Sequence, residues 1–354
     1  MKFLNKYIFF LLLYHLVFAF ISYQYVLRNN GDSTLYWWLN PTIENYNHFT
    51  FKNFGTYIVI LLNYPLVKIG IPLWGGFFIY AIIGFLGIFY FYITLKKLSE
   101  SSTFLKKYYI LELFFLLPNL HFWTATLGKE AIIFTSISLT LYSFIEKKYK
   151  ILIIPLLVIA AIRPHVFFMA LISLLLLILF SKRITLKKKI YYSLGFTVLA
   201  TIFLNIILLT TRIKHIDFER ITKFNKKSLL SFEHANSYVP MLDYNWFYKY
   251  FTFLFRPLYL DSNSLFGLIC SLENSIHLVL FLMGITSLFY FKKSKLYSFT
   301  IFFLIFTVVC TFFYVQRYAC FGIFMRTKIM FQPFLEGFFL LTISNWINEK
   351  QQTL

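Results

Sequence analysis

The sequence predicts an all-α, polytopic integral membrane protein, and two observations carry that prediction. Hydrophobic residues make up 59% of the 354 residues, and the mean hydropathy is +0.69, which is more than a soluble fold of this length can bury. The apolar residues also recur in runs of about 20, the length that an α-helix needs to cross a bilayer. These runs predict about ten spans in a single membrane domain, 1–354, at 7–26, 72–95, 108–125, 130–146, 150–162, 165–181, 190–211, 273–291, 296–315 and 329–346.

The formal charge of +20 is explained by topology. Basic residues cluster in short segments between the apolar runs, which is typical of cytoplasmic loops and not of a nucleic-acid-binding surface. We therefore expect no nucleic-acid partner, both termini in the cytoplasm and a location in the bacterial inner membrane. The first apolar run reaches Val26, which is too long for a cleaved signal peptide and predicts a retained anchor.

Two subregions of the membrane domain are expected on the outer side. The first, 27–71, combines an outer loop with the apolar segment 56–69, which is too short to span and contains Pro65 and Lys68. Such a segment favours an interfacial or re-entrant helix. The second, 212–272, is a moderately long polar loop that either caps a cavity or is simply solvated.

The apolar run from 151 to 180 is interrupted by Arg163-Pro164-His165. A charge at membrane depth is costly and usually marks a site, and proline breaks or kinks a helix because it lacks the N–H donor. The pattern predicts a helical hairpin whose tip presents a guanidinium and an imidazole on the outer face. The alternative is a structural arginine bonded to helix-end carbonyls beside an ordinary histidine.

Two other outer segments carry chemistry-bearing residues. Asp32 and Tyr36 follow the first span, where the acid could hold a sugar hydroxyl against an aromatic platform or belong to a plain interfacial loop. Trp123 precedes Lys129 and Glu130, which begin the fourth span. Glu130 suits the positive end of the helix dipole and Lys129 opposes it. Lys129 could therefore serve a bound phosphate, although snorkelling also explains such lysines.

A further outer segment, 316–328, places Arg317, Arg326 and Lys328 between the last two spans, on the side where short loops should be poor in basic residues. With Asp32 or His165 as candidate base, the chain offers several cations suited to phosphate. We expect these segments to converge in one outward-facing pocket. The phosphate-seeking cations are Arg163, Arg326, Lys328 and Lys129, with Arg317 as a further contact.

This set of groups suits transfer of a sugar from a lipid-linked phosphate. A base takes the proton of the acceptor hydroxyl, and fixed cations neutralise the departing (pyro)phosphate. The sequence contains no nucleotide-binding or zinc motif, and its three cysteines have no metal or redox spacing. No cofactor is expected, and nothing in the sequence supports a divalent metal.

Four motifs of the chain stand out together. They are Gly31-Asp32-Ser33 with Tyr36, Pro118…Phe122-Trp123…Gly128-Lys129-Glu130, Arg163-Pro164-His165, and Arg326-Thr327-Lys328…Pro333-Phe334. These motifs resemble those of bacterial GT-C-like membrane glycosyltransferases and of O-antigen or capsule polysaccharide polymerase-like proteins. The resemblance implies a polyprenyl-linked sugar or oligosaccharide substrate, an outward active site, and membrane lipid and other polysaccharide-assembly proteins as partners. It carries over Asp32 as base, and Arg163, His165 and Arg326 as contacts.

The chain departs from the family pattern in two ways. Many such enzymes have paired acids after the first helix, whereas this chain has Asp32 there and its next acid, Glu44, follows much later. The loop 212–272 is also only moderately long, so the loop arginines Arg212, Arg220 and Arg256 are weaker candidates.

Two other classes remain open from the sequence. A lipid-linked oligosaccharide flippase or other transporter would need ionisable residues along a central path, for which His15, Glu112 and Glu336 are the candidates. An acyltransferase would use His165 as its base. Polymerase and single-sugar transferase are not distinguished by these residues.

Overall fold

A computed structural model of the chain describes residues 2–29, 31–37, 54–100, 102–182, 184–211, 217–262, 264–290 and 295–352. Across these residues the chain is α-helical, and the β pairing consists of one isolated bridge between Tyr238 and Cys320. The predicted all-α class is confirmed. Glu44 and Arg212, named in the sequence analysis, lie outside the described residues.

The described helices are numbered along the chain. They are α1 (Lys2–Asn29), α2 (Asp32–Trp37), α3 (Phe54–Lys68), α4 (Leu73–Leu98), α5 (Thr103–Lys107), α6 (Ile110–Phe114), α7 (Pro118–Ala125), α8 (Lys129–Ile145), α9 (Tyr149–Ile162), α10 (Pro164–Phe180), α11 (Leu186–Thr211), α12 (Phe218–Leu230), α13 (Trp246–Phe255), α14 (Leu265–Tyr290), α15 (Lys295–Tyr314), α16 (Phe321–Lys328) and α17 (Gln332–Gln352). A short 3₁₀ turn, Tyr259–Asp261, lies between α13 and α14.

Within the described ranges, four helices are long and apolar enough to cross a membrane. They contain the segments Asn5–Asn29, Leu73–Leu98, Leu265–Tyr290 and Leu296–Tyr314, and α9 and α10 are shorter apolar helices. These helices define a membrane-embedded protein. The number of helices that qualify is smaller than the ten predicted, because several predicted spans form helices that are shorter or less apolar.

The clearest departure from the predicted spans lies at 108–125, which forms two short helices. Tyr109 has a positive φ of 51°, which ends one helical segment before α6 begins. Pro118 then opens α7, since proline lacks an N–H and disfavours helical backbone in the residue before it. By contrast, the predicted break in the run 151–180 is confirmed, because α9 ends at Ile162 and α10 begins at Pro164.

Hydroxyl side chains in these apolar helices donate to the carbonyl four residues earlier. Ser173 donates to Met169 at 2.7 Å, and Thr124 donates to Leu120 in the same way. This arrangement satisfies a polar group inside its own helix, which matters where water is excluded.

The chain forms two compact units that interleave along the sequence. The first contains Met1–Lys96, Phe115–Phe167 and Phe203–Arg212, and the second contains Lys97–Phe114, Phe168–Ile202 and Ile213–Leu354. In the first unit α8 packs against α9, α1 against α7, and α3 against both α2 and α9. In the second unit α17 packs against α14 and α15.

Glycines mark the closest helix approaches in each unit. A Cβ at Gly84 in α4 would overlap the backbone carbonyl of Thr124 in α7. In the second unit, a Cβ at Gly284 in α14 would overlap the ring of Phe339 in α17. Glycine is needed at such crossings because any side chain would hold the helices apart.

Candidate functional site

A buried charged pair in the first unit joins Arg163 to Glu130. The Arg163 guanidinium donates through Nη2 to Oε1 of the Glu130 carboxylate, and the two residues are only 8% and 2% exposed. Arg163 caps α9, and its backbone N–H donates to the Ile159 carbonyl at 2.9 Å. Glu130 lies in the first turn of α8. Because α8 packs against α9, the start of one helix meets the end of the other.

Lys129, the first residue of α8, points to a different set of partners. Its ammonium donates to Thr56 Oγ1 at 2.9 Å and lies 5.8 Å from the centroid of the Tyr36 ring. The hydroxyl and the ring face both favour the charged amine. Lys129 is thus held by α2 and α3 at the positive end of α8, which is the position singled out in the sequence.

The short helix α2 is fixed to the same region by hydrogen bonds. Ser33 Oγ donates to the Leu127 carbonyl at 2.7 Å, and Asn63 Nδ2 donates to the Tyr36 carbonyl at 3.1 Å. Asn63 is itself oriented by the Tyr80 hydroxyl at 2.9 Å. These bonds hold α2 beside the α7–α8 connection.

Three of the predicted segments therefore meet in the first unit. A Cβ placed on Gly128 would lie 3.1 Å from Glu130 Oε2 and 3.9 Å from Tyr36 Cε2, so the carboxylate and the ring flank one backbone position. Asp32 begins α2 with an exposed side chain. We call this region, formed by Asp32, Tyr36, Lys129, Glu130 and Arg163, the α2–α8 site.

The two remaining predicted residues of the first unit lie in adjoining helices. His165 is half-buried in the first turn of α10, two residues after Arg163. Trp123 is half-buried in α7 and packs edge-to-face on Phe122, with ring centroids 5.0 Å apart.

The predicted cations of the last outer segment belong to the second unit. Arg317 lies over the ring of Phe224, 4.1 Å from its centroid. Burial lowers the pKa of Arg317, against an opposing effect of Tyr318. Arg326 is half-buried in α16. Their predicted convergence with Asp32 in one pocket stays a prediction.

Lys328 is almost fully buried, at 2% exposure. Its ammonium donates to the Leu254 carbonyl and to Asn274 Oδ1, each at 2.9 Å. Lys328 lies outside the four candidate spans, and burial lowers its pKa to about 8, although the carboxylates of Glu336 and Glu273 raise it. The lysine thus belongs to an internal polar cluster.

That cluster also contains Glu273 and His277, which the sequence analysis did not single out, and Glu336, which it did. His277 Nδ1 lies 2.8 Å from Glu336 Oε2, and His277 Nε2 lies 3.4 Å from Glu273 Oε1. All three side chains are buried. Gln332 Nε2 also donates to Glu336 Oε1 at 2.9 Å. We call Glu273, His277, Lys328 and Glu336 the α14–α17 cluster.

The sequence held a partial signal for this cluster. Glu336 stood out as an ionisable residue within a predicted span, and Glu273 and His277 have the i,i+4 spacing that places two side chains on one helix face. Their pairing with Glu336, far away in the sequence, depends on how α14 packs against α17.

The first unit contains a buried histidine pair. His121 Nε2 lies 2.6 Å from the Phe115 carbonyl, to which it donates, and His121 Nδ1 lies 2.9 Å from His15 Nδ1. In the neutral tautomer His121 Nδ1 accepts, so His15 Nδ1 carries the donated proton. His15, a candidate for a transport path, is thus engaged with a second imidazole.

In the parts of the chain that the structure describes, no group of three or more His, Cys, Asp or Glu side chains is placed to hold a metal ion. The fold and its apolar helices define a helical membrane protein. Comparison of the chain with protein-family models, curated proteins and solved structures finds no match.

Proposed function

We propose that the protein is a membrane glycosyltransferase or polymerase that builds a cell-surface polysaccharide from polyprenyl-(pyro)phosphate-linked sugars. The observation that supports it best is the α2–α8 site, where Lys129 lies at a helix start beside the segment that carries the exposed Asp32. A helix start is the favourable end for a phosphate, and an exposed carboxylate can reach an acceptor hydroxyl.

The proposed reaction assigns a role to each group. Asp32, or His165 in its place, takes the proton of the acceptor hydroxyl as that oxygen attacks the anomeric carbon. The bond from that carbon to the phosphate oxygen breaks, and the phosphate leaves with the bonding electrons. Lys129 and Arg163 stabilise the negative charge that develops on the phosphate.

Glu130 supports this role by orienting Arg163. A guanidinium carries five N–H donors in a rigid fork, so pairing with one carboxylate is compatible with phosphate binding. Glu130 also compensates the buried charge of Arg163 before substrate arrives, which lowers the cost of keeping it there.

The proposal includes a GT-C-like architecture of about ten spans in the bacterial inner membrane. In this proposed architecture both termini are cytoplasmic, and the α2–α8 site faces outward. An active site next to the bilayer would let the polyprenyl chain of the donor remain in lipid. Other polysaccharide-assembly proteins are the expected partners of the proposed enzyme.

The test is sugar transfer in proteoliposomes that contain the purified protein, a polyprenyl-phosphate-linked sugar and a glycan acceptor. Asp32→Asn and Lys129→Met should each lower the transfer rate by about 100-fold or more, the usual size of a lost acid–base or charge contribution. The matched controls are Asp217→Asn and Lys223→Met. Asp217 is the exposed N-cap of α12, and Lys223 is an exposed lysine within that helix. The two controls should keep the transfer rate of the unsubstituted protein. The proposal would be refuted if Asp32→Asn and Lys129→Met kept that rate as well.

A flippase or other transporter is the second candidate, and the α14–α17 cluster is the observation that favours it. Buried ionisable residues in membrane helices often mark ion or substrate pathways. The same proteoliposomes separate the two functions, because translocation moves the lipid-linked glycan between leaflets without forming a new glycosidic bond.

A further inference from the structure

We propose that Glu273, His277 and Glu336 form an internal proton-binding site in the second unit, in which one exchangeable proton controls the pairing of α14 with α17. This site goes beyond the proposed sugar transfer and does not depend on it. The ligand of this site is a proton. The site consists of the His277 imidazole and two carboxylates, one near each of its ring nitrogens.

The geometry of the imidazole carries the argument. Its Nδ1 lies 2.8 Å from Glu336 Oε2 and its Nε2 lies 3.4 Å from Glu273 Oε1, and the first approach is short but outside hydrogen-bond geometry. Each of these two N···O gaps is favourable only when a proton on one of its two groups offsets the repulsion between nitrogen and oxygen lone pairs. A neutral imidazole supplies a single N–H, so with both carboxylates ionised one gap would bring a nitrogen lone pair against a carboxylate oxygen. A second proton, on the ring or on a carboxyl group, fills both gaps.

The net charge of the cluster leads to the same conclusion. Two carboxylates and the Lys328 ammonium sum to one negative charge when His277 is neutral. Addition of one proton brings the cluster to zero, and a buried cluster is strongly favoured when its charges cancel. The arrangement thus has capacity for one proton more than its neutral imidazole provides.

Among the described residues, the charged groups shown to act on the imidazole are Glu273 of α14 and Glu336 of α17. Cys270 of α14 and Lys328 of α16 interact with each other and with the carboxylates, and Lys328 is held by a carbonyl of α13. From α17, the amide of Gln332 donates to Glu336. In α15, Phe303 stacks on two rings of α17.

Loss of the proton would act on a close helix contact. Glu273 and His277 lie on α14 and Glu336 lies on α17, so only the gap between His277 Nδ1 and Glu336 Oε2 spans the two helices. Loss of the positive charge of the ring weakens the attraction across that gap. The same helices meet closely at Gly284 and Phe339. Proton release at the cluster is therefore coupled to the packing of α14 on α17.

The test uses the full-length protein in lipid nanodiscs with ¹⁵N-labelled histidine, and His277→Asn identifies the His277 signals. At neutral pH we expect both ring nitrogens of His277 to be protonated, and raising the pH to remove one proton reversibly. Glu336→Gln should lower the ratio of charged to neutral imidazole by about tenfold or more at a fixed pH, because it removes a facing negative charge. Glu273→Gln should lower it in the same direction.

The control is Glu219→Gln, an exposed acid of α12 that pairs with Lys223, which should leave the His277 signals unchanged. The measurement on the unsubstituted protein is decisive even if a variant fails to fold. A His277 ring that stays in one protonation state from pH 5 to pH 10, or that responds equally to Glu219→Gln and Glu336→Gln, would overturn the proposal. A merely structural cluster would show no reversible titration.

Discussion

Arg163 and Glu130 form a buried ion pair that joins the C-terminal end of α9 to the first turn of α8. Glu130 lies at the positive end of its own helix, which favours its carboxylate. The pair therefore keeps a cation at the start of α8 without leaving an uncompensated charge inside the protein. In the proposed reaction this cation is oriented before substrate binds.

Removal of one partner of this pair should destabilise the protein more than removal of both. We expect Glu130→Gln to cost about 3–5 kcal/mol, because it leaves the Arg163 guanidinium buried without its counter-ion. Adding Arg163→Met should recover part of that loss. The measurement is a double-mutant cycle on thermal unfolding in detergent, and strictly additive effects of the two substitutions would contradict it.

The crossing of α4 and α7 should tolerate no side chain at Gly84. In Gly84→Ala the new methyl group meets the Thr124 backbone carbonyl, which cannot rotate away, so we expect destabilisation of at least about 1–3 kcal/mol. Gly195→Ala is the matched control, because a Cβ at Gly195 in α11 meets nothing within 4 Å. That control should be neutral, or more stable by up to about 1 kcal/mol, since alanine favours a helix. Equal unfolding temperatures for the two variants would show that the helices do not approach closely.

Lys328 should make stability rise with pH in the alkaline range. Its pKa falls from 10.5 to about 8 in the folded protein, so between these values the unfolded chain binds more protons than the folded one. Stability then increases with pH across that window, by at most about 3 kcal/mol. Below pH 8 the cost of burying the charged amine is fully present.

The check is the unfolding temperature as a function of pH in detergent, compared between the unsubstituted protein and Lys328→Met. The unfolding temperature of the unsubstituted protein should rise relative to that of Lys328→Met as the pH increases. Lys223→Met, at a position that is 80% exposed, should track the unsubstituted protein at every pH. Parallel curves for the unsubstituted protein and Lys328→Met would show that burial does not perturb this lysine.

Local features of the sequence predicted much of the secondary structure. The apolar segment 56–69 forms α3, and the break at Arg163-Pro164-His165 separates α9 from α10. Both follow from short-range rules, namely side-chain hydropathy and the missing N–H of proline. The same rules mark Pro118 as a helix start, but hydropathy alone predicts one continuous span at 108–125, and the proline decides the outcome.

The amino-acid sequence by itself determined the helical class, the apolar helices and the positions of Asp32, Lys129 and Arg163 at or near helix ends. Tertiary structure alone decided the partners: Glu130 for Arg163, Tyr36 and Thr56 for Lys129, and the two carboxylates that enclose His277. The physical reason is the separation along the chain over which each interaction acts. Hydropathy and backbone preferences act within a few residues, whereas charges pair only after distant helices have packed, and no local pattern records which helix that will be.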